Sequence, residues 1–281
     1  KHLKACYVTS DHKDPTLSID YSGIQSFFIG YGSTRFTFFQ QLDAQVVIMT
    51  MPDLAQFNLK RSSLSVHYIY IFNTAISSHM GFMRGAFDHY DAIFCTGPHQ
   101  IAELRAAERI YNIPRKTLIE YGYPLIDQLI DQVESAEADN NRFHTPLRVL
   151  IAPTYGPQNL IEVEDGQLCI RLIEHLLAAE FEVSLRPHWM TSYNRPELIA
   201  SLRTCIPTSV HFSIDEGYSS IRYLHQFDVL ITDLSGIALE FSLGLLKNVI
   251  YVDLPVRVGH HTQFGSRNKH AGALCPCVGG R

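Results

Sequence analysis

Apolar residues along this chain fall in short unbroken runs, and between the runs they recur every three or four positions. The runs predict buried strands over 3–9, 25–29, 45–50, 67–72, 92–96 and 117–120, and the periodic stretches predict helices over 35–42, 100–111 and 125–133. Residues 134–142 are polar and acidic with no apolar period, and a fresh strand starts at 148, so this stretch reads as a linker. The second half repeats the plan. Strands are expected over 149–152, 182–185, 210–214, 229–232 and 249–252, with helices over 168–179, 196–205, 221–225 and 237–246. Such alternation implies parallel sheets joined by right-handed crossovers. The expected fold class is α/β, with two Rossmann-like domains facing a cleft. They span 1–140 and 146–260, followed by an irregular tail over 261–281.

Composition changes this picture little. The chain has 281 residues, 46% hydrophobic and 18% charged, as ordinary globular domains do. A net charge of −5 gives no general attraction to nucleic acid or anionic lipid, so a phosphate-bearing ligand needs local positive charge. Glu240 and Lys247 interrupt the richest apolar stretch, so no membrane-spanning run is expected, and the start shows no charged region followed by an apolar one that would read as a signal peptide. Of the six cysteines, Cys6, Cys95, Cys169 and Cys205 sit among apolar elements and read as small core residues. Cys275 and Cys277 are too close for a zinc half-site. A reducing cytoplasm is the expected location. The chain begins with Lys rather than Met, so a piece of a longer polypeptide is expected, and the last 26 residues carry no helical period.

The most informative segment is 227–241, a strand leading through Asp233, Ser235 and Gly236 into a helix. Unpaired N–H groups near Ser235 and Gly236 at such a helix start would attract phosphate. Glu240, one turn in, is placed to accept from sugar or glycerol hydroxyls. Asp233 or Ser235 serving only as an N-cap is an equally open reading. Arg186-Pro187-His188 follows the strand over 182–185, at the edge where open parallel sheets bind ligands. There Arg186 can clamp a diphosphate and His188 can donate to it. Thr154 ends the first strand of the second half and is a third candidate phosphate contact. In the first half, Asn73-Thr74-Ala75-Ile76-Ser77-Ser78-His79 follows a strand, and His79 is the candidate general base toward an alcohol. The chain has 14 histidines, so most are bystanders.

Five elements occur in order: Gly97-Pro98, Gly122-Tyr123-Pro124 with Asp127, Ala152-Pro153-Thr154, Arg186-Pro187-His188, and Thr232-Asp233-Leu234-Ser235-Gly236 with Glu240-Phe241. Together, over about 66–255, they resemble the CDP-glycerol glycerophosphotransferase family, whose members build teichoic-acid-type polymers on a GT-B-like fold. The resemblance implies that His188 belongs to the nucleotide side and that Asp233, Ser235 and Glu240 belong to the donor-binding element. Family members also carry a histidine on the acceptor side. Here Asn73 stands at the matching position, and His79 is the nearest histidine. Trp189 also departs from the family, which often has Pro after this His.

The implied reaction moves a phosphoglycerol unit from a CDP-activated donor to an alcohol on a lipid-linked or glycan acceptor, with peripheral contact at the inner face of the cell membrane. His79 and His188 are the expected catalytic residues. Thr154, Arg186, Asp233, Ser235, Gly236 and Glu240 are the expected donor-binding residues. No cofactor is expected and, without an acidic Asp-x-Asp site, no essential metal. Two rivals stay open: a nucleotide-sugar transferase or epimerase on the same plan, and a non-catalytic binding module.

Overall fold

The computed structural model describes residues 4–56, 59–136, 144–156, 158–206, 209–215 and 221–254. The expected tail over 261–281, Cys275 and Cys277 lie outside the described residues, as does most of the expected linker. The strands are β1 (Ala5–Thr9), β2 (Ile24–Phe28), β3 (Val46–Met49), β4 (His67–Ile71), β5 (Ala92–Cys95), β6 (Thr117–Glu120), β7 (Arg148–Ile151), β8 (Glu182–Leu185), β9 (Phe212–Ile214), β10 (Val229–Thr232) and β11 (Asn248–Tyr251). They form a two-stranded sheet β1-β2, a four-stranded sheet β3-β4-β5-β6 and a five-stranded sheet β11-β10-β7-β8-β9. The fold is thus α/β. β6 and β7 lie in different sheets, as the restarted strand pattern implies.

The described residues divide into two compact units, one over 4–71 and 77–119, the other over 72–76 and 120–254. The sequence pattern puts the division after 134, whereas the contacts group the described residues from Glu120 to Leu254 with the second unit. The helix Pro124–Ala136 explains this grouping. Its Leu129 is fully buried in one cluster with Leu150, Leu230, Ala238 and Phe241 of the second unit.

In the first unit, β4 alternates: Tyr68 and Tyr70 are buried while His67 is exposed. Tyr70 packs against Phe87 and Tyr90 at ring-centroid distances of 4.8 and 5.2 Å. In the second unit, the pleat sorts each strand's residues onto two faces. Val149, Ile151, Val183, Leu185 and Ile231 bury one face against residues of helices Gln167–Ala178 and Pro196–Cys205. Leu150 and Leu230 bury the other with Leu129, Leu224 and Phe241. Both faces are covered, which is why these strands read as continuous apolar runs.

Two expectations change. Cys95 and Cys169 are buried, but Cys6 and Cys205 are exposed, so only two of the four cysteines expected in the core are there. The helix expected over 237–246 is a single α turn, Ile237–Leu239, followed by a π turn, Glu240–Gly244. The chain widens where Gly244 meets Leu129.

Candidate functional site

All pairings in the five-stranded sheet are parallel, with β7 bonded to both β8 and β10. The chain runs outward from β7 through β8 and β9 on one side, then returns to build β10 and β11 on the other. The crevice beyond the C-terminal ends of β7 and β10 is therefore a topological switch point, where sheets of this kind take ligands. Thr154, His188 and the 233–236 turn follow β7, β8 and β10, so all three sit at this one edge.

His188 is the most exactingly held of them. It caps the short helix Trp189–Asn194, and its Nδ1 accepts the Met190 N–H at 3.2 Å. An accepting Nδ1 carries no proton, so the neutral ring has its proton on Nε2. Burial pushes the imidazole pKa down from its ordinary 6.5 and reinforces that neutral form. The Tyr155 and Trp189 rings lie 4.7 and 6.0 Å away, inclined to the imidazole by 30° and 29°. The imidazole is thus oriented by a backbone bond and by aromatic contact, with Nε2–H as its donor.

Arg186 is committed elsewhere. Its Nε and Nη2 reach one carboxylate oxygen of Asp215 at 2.9 and 2.8 Å, and its guanidinium lies 4.5 Å from the centre of the Tyr223 ring. The free bidentate clamp expected from sequence is in fact a tethered cation. It can add positive potential to the edge but is not open on all sides.

Asp233 also differs from the expectation of an open donor contact. It is 4% exposed, and its carboxylate accepts the N–H of Thr154 at 2.7 Å and of Leu160 at 3.1 Å. Thr154 cannot then offer that N–H to phosphate. Ser235 differs as well, because its N–H donates to the Asp233 carbonyl at 2.8 Å rather than standing unpaired. Gly236 leaves room for a close approach. A Cβ there would lie 3.0 Å from Thr74 Oγ1 and 3.4 Å from Ile76 Cγ2.

Glu240 opens the π turn and is partly buried. The Tyr123 hydroxyl lies 2.7 Å from Glu240 Oε1 and 3.0 Å from the Asn73 carbonyl oxygen. Burial raises the carboxyl pKa against the smaller lowering effect of the Tyr123 contact. Sequence reasoning missed this pair because its members are 117 residues apart. It also missed Glu162, which accepts from Gly156 N–H at 3.1 Å, Asn159 Nδ2 at 2.9 Å and Thr191 Oγ1 at 3.2 Å. Glu162 thereby ties the loop after β7 to the helix that His188 caps.

In the first unit, His79 lies in the one-turn helix Ser78–Gly81 rather than in an open loop. Ser77 Oγ caps that turn by accepting the Met80 N–H at 3.1 Å. Glu103 anchors it by accepting Ser77 Oγ at 2.7 Å, Ser78 N–H at 2.7 Å and Ser78 Oγ at 2.6 Å. His79 lines a cavity of about 70 Å³ with Phe82, Arg84, Glu103 and Lys116. At the next edge position, Gln100 is fully buried and accepts the Thr96 N–H at 2.8 Å, so it caps the strand-to-helix turn. Among the described residues no group of three or more His, Cys, Asp or Glu side chains is arranged to hold a metal ion.

A family model for CDP-glycerol:poly(glycerophosphate) glycerophosphotransferase matches residues 65–252. Among solved structures, the wall teichoic acid polymerase TagF aligns with a TM-score of 0.53 at 14% identity, covering 88% of this chain and 62% of that one. UDP-GlcNAc 2-epimerase from Methanocaldococcus jannaschii, solved in complex with UDP-GlcNAc and UDP, aligns with a TM-score of 0.57 at 14% identity, covering 88% and 75%. At these identities the two likenesses establish a shared GT-B-like fold. The chain spans about 62% of the length of the polymerase structure it matches. No curated protein matches the sequence.

Proposed function

The chain belongs to the CDP-glycerol:poly(glycerophosphate) glycerophosphotransferase family, and from that premise we propose that it transfers a glycerophosphate unit from CDP-glycerol to an alcohol of a growing cell-wall polymer. The observation that carries this reading is His188: a neutral imidazole at the switch-point edge with its Nε2–H fixed as donor. A diphosphate that loses CMP needs hydrogen-bond donors on the oxygens where charge gathers, and His188 supplies one without itself having to ionise.

In the proposed reaction, His79 takes the proton of the acceptor hydroxyl. The freed oxygen attacks the β-phosphorus of CDP-glycerol, the bond from that phosphorus to the bridging oxygen breaks, and CMP leaves with the bonding pair. Arg186 contributes positive potential from its Asp215 tether. Asp233 acts by holding Thr154 and the 160 segment in place, and Glu240 meets a donor hydroxyl. Ser235 and Gly236 shape the turn on which the phosphates rest. The acceptor is a lipid-linked or glycan chain, reached by peripheral contact at the inner face of the membrane. Among the described residues no helix is long and apolar enough to cross a membrane.

The donor class is tested by thermal shift with CDP-glycerol, CDP-ribitol, UDP-sugars and CMP-sugars. The reading expects the largest rise in melting temperature with CDP-glycerol. A larger rise with a UDP-sugar would transfer the site to a sugar nucleotide, and no response to any of them would mark a module without donor binding.

A further inference from the structure

Tyr123 presents a problem of hydrogen counting. Its hydroxyl has one proton, yet it lies at hydrogen-bond distance from two oxygens, Glu240 Oε1 at 2.7 Å and the Asn73 carbonyl at 3.0 Å. A carbonyl oxygen can only accept, and an ionised carboxylate can only accept. With Glu240 ionised, one of the two contacts would be a pair of oxygen lone pairs facing each other with no proton between them. Both contacts become hydrogen bonds when Glu240 carries its own proton: Glu240 Oε1–H donates to the Tyr123 oxygen, and Tyr123 O–H donates to the Asn73 carbonyl. The 2.7 Å separation is the usual length for an O–H···O bond.

We propose that Tyr123 is a positioning residue that, anchored on the Asn73 carbonyl, holds Glu240 as a protonated, uncharged hydrogen-bonding group at the donor-binding edge. Burial of the carboxyl acts in the same direction. Among the described residues, the titratable group that meets the carboxyl is Tyr123, from the turn before helix Pro124–Ala136, and no cation pairs with it to favour the ionised form. The consequence concerns specificity. A carboxylate near a diphosphate would repel it, whereas the neutral acid keeps a directional contact for a ligand hydroxyl and adds no negative charge. The functional meaning rests on the donor-site reading above, but the protonation state does not.

The test uses infrared difference spectroscopy on the ligand-free protein at neutral pH. Wild type minus Glu240→Gln should show a protonated-carboxyl C=O band. Tyr123→Phe should move that band to higher frequency, because the acid has lost its acceptor. A difference spectrum with only carboxylate bands, or a band that Tyr123→Phe leaves in place, would overturn the proposal. If either variant fails to fold by circular dichroism, wild type labelled with ¹³C at its glutamate carboxyls decides by NMR titration. One glutamate must remain protonated at neutral pH, and the absence of any such resonance overturns the proposal. A thermal-shift titration with CDP separates the two readings. Protonated Glu240 in a protein that ignores CDP removes the donor site alone, and ionised Glu240 in a protein that binds CDP removes this proposal alone.

Discussion

Burial drives His188 and Glu240 toward their uncharged forms from opposite directions, lowering the imidazole pKa and raising the carboxyl pKa. The stability consequences have opposite signs. For His188, whose folded pKa lies below the unfolded value, the contribution is present above the ordinary 6.5 and is lost as pH falls through the folded value. For Glu240, whose folded pKa lies above the unfolded one, the contribution is present in acid and is lost as pH rises through the folded value. Melting temperature followed downward from neutral pH should fall more steeply in wild type than in His188→Gln, and parallel curves would show that the imidazole is not the titrating group. Asp233 belongs to the same scale. Its two carboxylate oxygens satisfy the N–H groups of Thr154 and Leu160, and Asp233→Asn can satisfy only one. The loss should be about 2 kcal/mol by urea unfolding. Unchanged stability would show that neither loop depends on this carboxylate.

At the scale of elements, the sequence is most legible where a strand is covered on both faces. β8 and β10, each with three of its four residues buried, begin and end where the sequence pattern places them, because a strand covered on both faces is pressed to be apolar along its length. The turns were harder to read. Helices Ser78–Gly81 and Trp189–Asn194 span barely one or two turns, too short to show a helical period. The π turn at Glu240–Gly244 is set by contact with a distant helix, not by local propensity. Gly244 shows this. A Cβ there would stand 2.5 Å from Leu129 Cδ1 and 2.8 Å from Leu129 Cβ. Gly244→Ala should therefore destabilise the protein by about 1–3 kcal/mol through overpacking. Leu129→Ala in the same chain should recover part of that loss. A Gly244→Ala protein as stable as wild type would mean that the helix shifts aside without cost.

At the scale of the whole molecule, the matched family residues run from β4 to β11 and include both larger sheets, apart from β3 at the edge of the first. Which strand ends would share an edge was readable, because alternating strands and helices dictate parallel sheets and parallel sheets align their C-terminal ends. Which side chains at that edge remain open to a ligand was not. Arg186 and Asp233 have partners 29 and 79 residues away, and no local pattern encodes them. His188 is the sequence-derived candidate whose geometry leaves a defined donor for the diphosphate. The most direct measurement is therefore CMP release from CDP-glycerol, in the presence of a polyol-phosphate acceptor, by wild type and His188→Ala proteins matched in melting temperature. The account predicts that turnover falls by about 10²–10³-fold, the scale for losing one charge-stabilising donor, with partial recovery in His188→Gln. Equal rates for wild type and His188→Ala would contradict it and remove the donor site from this edge of the sheet.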